Sequence, residues 1–252
     1  EIASTGDSVN INETITSVKS TAIGSSTLNA LADGIFKAKA SQTYTQKINL
    51  GGSAFVQYFV DDTHSEDPAL YLKFPQDASA IKYVLDFNSA AESDMASSNT
   101  RMEDFQNKKI TILGKEYTIT KAENSSNSKK LTLMAGAVQD TLEVGETKSY
   151  TINGMDYEVT VMVVSGDTAA TAVTKFIVND EVTTSLSADD TYTLKDGTDL
   201  GIKEILPTKS GDVVQNLVEF YLGAQKIVLD GNDNTVDIGS TSNIDGAIVT
   251  IS

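Results

Sequence analysis

The sequence predicts an all-β protein built of tandem β-sandwich-like domains with very little helix. Three observations predict it. Apolar and polar residues alternate along most of the chain, as in half-buried strands. Gly, Asn, Asp and Ser interrupt that alternation about every 8–12 residues, the rhythm of sandwiches and barrels. Helical signals are confined to two short stretches, 26–32 ended by Gly34, and 100–106 with Asn99 or Ser98 as its N-cap.

The clearest alternation is Ile110-Thr-Ile-Leu-Gly-Lys-Glu-Tyr-Thr-Ile119, two short strands around a Gly turn. A second, Tyr150-Thr-Ile-Asn-Gly-Met-Asp-Tyr-Glu-Val-Thr-Val161, carries Asn153-Gly154, the strongest short-range hairpin signal. Ile112, Gly114, Tyr117 and Ile119 line up with Ile152, Gly154, Tyr157 and Val159, a pattern that fits an internal duplication or simply two hairpins of one type. Further strands are expected at 44–50, 54–60, 69–74, 81–87, 130–134, 175–178, 191–194, 202–206, 217–222, 225–229, 235–238 and 247–251. Within these, 220–229 reads as another hairpin with Gly223 in its turn.

Residues 1–26 are rich in Ser, Thr and Asn but include Val9, Ile11, Ile15 and Val18, and read as an extended N-terminal segment. Ala122-Glu-Asn-Ser-Ser-Asn-Ser-Lys-Lys130 has the composition of a linker. It places a first β domain at 27–125 and a second at 126–252, with the option that the last strands return to the first. A chain of 252 residues suits that division. Without a starting Met, a basic n-region or an apolar h-region, the chain reads as a mature or excised piece.

Net charge is −16, from 35 acids against 19 bases. So negative a surface repels phosphate backbones and anionic lipid, which argues against nucleic acid and membrane-surface partners and for cations or a basic partner. No stretch approaches the roughly 20 apolar residues of a membrane-spanning helix, so no direct membrane insertion is expected. The absence of cysteine removes disulfides, thiolate metal sites and cysteine nucleophiles. Abundant Ser, Thr, Asn and Asp with no Trp is a composition common among extracellular β-rich proteins.

Catalytic residue types are sparse. The one histidine, His64, sits in Asp61-Asp-Thr-His-Ser-Glu-Asp67. Triad members converge from separate elements, so adjacent residues of one loop suit a solvated acidic turn better. A carboxylate pair for glycoside hydrolysis finds no aromatic-rich cleft to serve, and Gly51-Gly52 has no phosphate-loop Lys. The reading is of a chain that is not an enzyme and has no organic cofactor.

Acidic turns offer more. Asp230, Asn232, Asp233, Asn234 and Asp237 pack oxygen ligands at the short spacing calcium uses. Asp189-Asp190 and Asp196 to Asp199 form two more clusters. The same residue types are what exposed turns prefer, and both readings stand at this point. Two acceptor sequons, Asn12-Glu-Thr14 and Asn124-Ser-Ser126, are candidate glycosylation sites, with Asn124 favoured because its neighbours read as loop.

Ile112-Leu-Gly-Lys-Glu-Tyr-Thr-Ile119 resembles the repeated domains of archaeal S-layer proteins, which form the crystalline coat outside many archaeal cells. Tyr44-Thr-Gln-Lys-Ile-Asn-Leu-Gly51, Asp67-Pro-Ala-Leu-Tyr-Leu-Lys73, the Asn153-Gly154 hairpin and Val218-Glu-Phe-Tyr-Leu-Gly-Ala-Gln-Lys-Ile-Val-Leu229 follow in the same order. The resemblance spans roughly residues 27–235. It implies a self-assembling structural module at the cell surface whose partners are copies of itself, and it brings no active site. S-layer proteins of this kind are longer and carry a further repeat or a membrane-attachment region. That difference keeps open a subunit of an extracellular filament or appendage; an adhesin or carbohydrate-binding module is the rival of a different class.

Alternation with Ile119 and Val159 puts Tyr117 and Tyr157 on the inward face of their strands. Truncation of either to Ala is expected to cost about 3–5 kcal/mol, as for other buried aromatics, measured by denaturant unfolding. Near-neutral variants would mean a register wrong by one residue.

Overall fold

The computed structural model describes residues 8–17, 22–61, 65–75, 79–95, 100–125, 128–152, 154–208, 216–239 and 241–252, with the backbone alone at 59–61 and 65–68. His64, Val18, Ser98, Asn99 and Asn153 lie outside them. The fold is all-β and multi-sheet, and the described residues contain no α-helix. No helix among them is long and apolar enough to cross a membrane.

Contacts divide the chain into two compact units, Glu1–Glu92 with Ile110–Glu116, and Ser93–Lys109 with Tyr117–Ser252. The first contains β1 (Gly34–Lys37), β2 (Ser41–Leu50), β3 (Phe55–Asp61), β4 (Ser65–Lys73) and β5 (Ile81–Phe87). These make a three-stranded antiparallel sheet in the order β1-β2-β5 and a two-stranded one of β3 and β4. In its core the Phe87 ring meets Phe36 at a tilt and Tyr44 edge-on, at 5.8 and 5.5 Å between ring centroids.

A buried glutamine organises this unit. Gln46 is 1 % exposed, and its amide donates to the Ala32 carbonyl at 2.6 Å. Its Oε1 accepts from the Tyr83 hydroxyl at 2.7 Å and the Leu113 N–H at 3.0 Å. The Tyr44 hydroxyl meets the backbone of Thr111 through both N–H and carbonyl, at 2.9 and 3.1 Å. Segment 110–116 is thereby held to β2, although it is remote in sequence. That segment is the turn of a hairpin between β6 (Lys108–Ile112) and β7 (Lys115–Ser125). Leu113 and Gly114 both have positive φ, 52° and 79°, the turn whose twist matches flanking strands.

The second unit adds β8 (Ser128–Ala135), β9 (Val138–Glu143), β10 (Thr147–Ile152), β11 (Met155–Ser165), β12 (Val173–Val178), β13 (Glu181–Val182), β14 (Thr191–Thr193), β15 (Asp199–Leu206), β16 (Leu217–Leu222), β17 (Gln225–Asp230) and β18 (Thr235–Ile238). They form sheets in the orders β10-β11-β12-β13, β14-β15-β16-β9 and β18-β17-β8-β7-β6. The first two pack as a sandwich. Tyr157, Val159, Val161 and Phe176 of one sheet meet Leu142, Ile202, Val218 and Phe220 of the other, all buried. The Phe176 and Phe220 rings lie 5.3 Å apart.

The middle sheet is also covered on its opposite face. Tyr221 packs on Met134 and Ala224, and its hydroxyl donates to Thr118 Oγ1 of β7 at 2.8 Å. A Cβ at Gly201 would overlap the Met134 sulfur, so glycine is what lets β15 approach the layer above it. Burial on both faces explains why β16, Leu-Val-Glu-Phe-Tyr-Leu, hardly alternates.

Several expectations are corrected here. Segment 220–229 is no hairpin: β16 pairs with β15 and β9, whereas β17 pairs with β8 and β18, so Gly223 (φ 68°) is a corner between layers. Of the supposed linker at 122–130, residues 122–125 end β7 and 128–130 begin β8, with Ala122 opposite Leu131 and Glu123 opposite Lys130. Segment 247–251 is not a strand; it follows positive-φ turns at Asn243 and Gly246, and Ile248 is exposed. Around Val9 the chain turns at residues 11–12 and makes a single bridge, Thr14 to Phe55, before a 3-10 turn at Ile15–Ser17. The short helices expected at 26–32 and 100–106 are single 3-10 turns, Asn29–Leu31 and Glu103–Phe105, and Met102 occupies the N-cap of the second. Tyr117 and Tyr157 are buried, at 7 % and 1 % exposure.

Replacing Gln46 with Leu keeps its bulk but removes the part-buried hydrogen bonds to the Ala32 carbonyl, the Leu113 N–H and the Tyr83 hydroxyl. The expected cost is about 3 kcal/mol, read from denaturant midpoints; a neutral variant would show that water replaces these partners.

Candidate functional site

The acidic turns are built from their own backbone donors. Asp230 ends β17, and its Oδ1 accepts from the N–H groups of Asn232 (2.9 Å) and Asp233 (3.4 Å). Its Oδ2 pairs with Lys130 Nζ at 2.8 Å. The Lys130 hydrogen bond, helped by those two N–H groups, holds the Asp230 carboxyl below its ordinary range despite burial. Asn232 Nδ2 donates to Asp233 Oδ1 at 2.8 Å, Asn234 takes a positive φ of 58°, and Asp237 Oδ1 accepts from Asn243 N–H at 2.7 Å. Asn232, Asp233 and Asn234 thus occupy the β17–β18 turn with Asp230 at its start, whereas Asp237 lies within β18 opposite Val228. Among the described residues no three carboxylate or imidazole groups converge to hold a metal ion.

The other acidic clusters have equally local roles. Asp196 accepts from the Thr198 N–H and the Tyr157 hydroxyl, both at 2.8 Å, so it caps a turn and anchors a core tyrosine. Asp190 accepts from Ser187 N–H at 2.8 Å. Asp199 accepts from the Thr193 hydroxyl at 2.6 Å. Of the two sequons, Asn12 is exposed at a turn. Asn124 is half-buried in β7 opposite Lys129, and its N–H donates to the Thr100 carbonyl at 2.7 Å.

Two open clefts lie within the second unit. One, about 480 Å³, is edged by Tyr157, Thr193, Asp199 and Gln225 where the chain crosses between layers. The other, about 570 Å³, is lined by Arg101, Gln106, Lys121, Asp189 and Lys203. Desolvation raises the Asp189 carboxyl against the pull of Thr120, Lys121, Lys226 and Arg101. Gln106 Nε2 is buried there without a hydrogen-bond partner.

The β3–β4 hairpin presents a different kind of surface. Its ladder pairs Val56 with Leu72 and Tyr58 with Leu70, so these four share one face. Tyr58 is 61 % exposed, Leu70 56 % and Leu72 46 %, and Phe74 just beyond is 48 % exposed. On the opposite face Lys73 lies over the Phe55 ring at 5.8 Å. Residues 12–15 run along the outer side of β3: Asn12 and Ile15 donate to the carbonyls of Val56 (2.6 Å) and Ala54 (3.1 Å), and Val56 donates to Glu13. Sequence reasoning missed this surface because Leu70-Tyr-Leu72 is continuously apolar, which reads as a strand buried on both faces.

No family model matches the chain, and no curated protein or solved structure matches it either.

Asp230 supplies a test of the turn. Its folded carboxyl is lowered, so its stabilisation is present above the unfolded carboxylate range and is lost as pH falls through the lowered value. Asp230→Asn keeps the turn acceptor and should cost about 0.5–1 kcal/mol at neutral pH, the scale of a half-exposed ion pair. Asp230→Ala should cost about 2 kcal/mol. The difference between wild type and the Asn variant should close in acid; one that persists there would assign Asp230 another role.

Proposed function

We propose that this chain is a structural module of an archaeal surface layer, exported to the cell exterior, which acts by joining copies of itself and without catalysis. The observation that carries the reading is the apolar hairpin face. A chain at −16 keeps Tyr58, Leu70, Leu72 and Phe74 in water on one strand pair. Contiguous exposed apolar residues in an otherwise charged protein mark a surface that meets a partner. The ordered resemblance to S-layer repeats supplies the kind of partner, identical neighbours in a lateral array.

The charge bears on how assembly proceeds. At about 0.15 M salt, repulsion between like-charged copies persists over roughly 8 Å. Divalent cations at the acidic turns would lower it, so millimolar calcium is expected to promote assembly.

Electron microscopy of concentrated protein, with calcium and with chelator, tests the proposal. Two-dimensional sheets are the expected result, more extensive with calcium. Filaments would instead favour an appendage subunit, and dispersed single particles in every condition would contradict self-assembly.

A further inference from the structure

We infer that the open edge of β4 pairs antiparallel with β4 of a second copy, about a two-fold axis at Leu70. This rests on the self-assembly reading and specifies its contact.

The direction of backbone groups fixes which residues are available. Val56 turns its N–H and carbonyl away from β4, toward Glu13 and Asn12, and the Ala54 carbonyl does the same toward Ile15. Alternation therefore points Phe55 and Gln57 at β4, where they bond their partners Lys73 and Tyr71. Directly opposed residues in an antiparallel ladder point the same way, both inward or both outward. Leu70 and Leu72, opposite Tyr58 and Val56, consequently aim their backbone groups at the far edge. No strand among the described residues occupies that edge.

Pro68 brings no N–H, a common guard on edge strands, and it lies where the β3–β4 register shifts, between the Phe59–Ala69 and Asp61–Ser65 pairs. The regular ladder from Ala69 to Lys73 is the part of the edge open to pairing, and a two-fold axis at Leu70 lets Leu70 exchange both bonds with its own copy.

Side chains and charge favour the same arrangement. Leu70 and Leu72 would meet across the axis on the face that already carries Tyr58, which extends one apolar surface across both hairpins. Between residues 59 and 68 the sequence carries Asp61, Asp62, Glu66 and Asp67, whereas 54–58 and 69–75 carry Lys73 as their only charge. A parallel arrangement would set acidic end against acidic end. The antiparallel one sets each acidic end beside the other copy's Lys73.

The absence of native cysteine makes the register directly testable. A self-opposed, hydrogen-bonded antiparallel pair has Cα atoms about 5.5 Å apart, inside the window for a disulfide. Leu70→Cys should therefore form disulfide-linked dimers under mild oxidation at least tenfold faster than Leu72→Cys or the exposed control Ile248→Cys. Leu70→Lys, a charge at an already exposed position, should reduce assembly seen by microscopy. Cross-linking of Leu70→Cys no faster than the controls, while wild type still assembles, would overturn this contact and leave self-assembly standing. Wild type that stays monomeric, with no selective cross-link, would overturn both. Selective cross-linking without polymers would support the contact and count against the array.

Discussion

One bent ribbon constrains the second unit. β8 and β9 run from residue 128 to 143 and pair along their length with β16 and β17, from 230 back to 217. Ala135 faces Gln225 on one side of the corner, and Val138 faces Leu222 on the other. Equal numbers of residues are used on the two strands, so the register survives the bend unchanged. The corner is made of Gly136-Ala137 and Gly223-Ala224, the smallest side chains that can fill it. A Cβ at Gly136 would crowd Tyr221, and Gly223 needs its positive φ. Because the ribbon belongs to two layers at once, the middle sheet has to serve two cores. Phe220 and Leu222 point into the sandwich while Tyr221 points into the layer above. Substituting one such position therefore disturbs packing on a face that its neighbours do not share.

The same economy governs the polar groups. Gln46 sits in the core of the first unit with each of its polar atoms satisfied, and the second unit seats the Tyr157 hydroxyl on Asp196 and Thr198. Acidic side chains that give the chain its charge spend their oxygens on turn N–H groups, as Asp190, Asp196 and Asp230 do. At these three turns charge therefore accumulates with the carboxylates paired. The strands between stay neutral enough to stack, and at β4 neutral enough to meet another copy.

Much of this was legible in sequence because half-buried strands alternate. β5, β16 and β18 fall at their expected residues, and the Leu113-Gly114 turn and the inward tyrosines follow from local chemistry. What failed was the choice of partner. A glycine between two apolar runs serves a hairpin and a layer crossing alike, so Gly223 was misread. β9, Val-Gln-Asp-Thr-Leu-Glu, has too few apolar residues to announce itself; its place is set by the ribbon it completes. The loop-like Asn124-Ser-Ser126 composition hid a strand end for the same reason, since pairing with 128–131 overrides local preference. Among the site residues, the spacing of Asp230 to Asp237 shows a polar hairpin end and does not say where each side chain points: Asp230 bonds its own turn and Asp237 the Asn243 N–H. The exposed face of β4 was not readable either, because a run of apolar residues does not say which of its faces is covered.

If the ribbon is the element on which the second unit depends, its two halves cannot open separately. Native-state hydrogen exchange measures this directly. Amides of β8 and β17 on one side of the corner, and of β9 and β16 on the other, should fall in a single slowest-exchanging class with a common opening free energy. The short edge strands β13 and β14 should exchange faster. Two distinct classes divided at Gly136 and Gly223 would contradict the account, for the layers would then be independent sheets joined only by the chain.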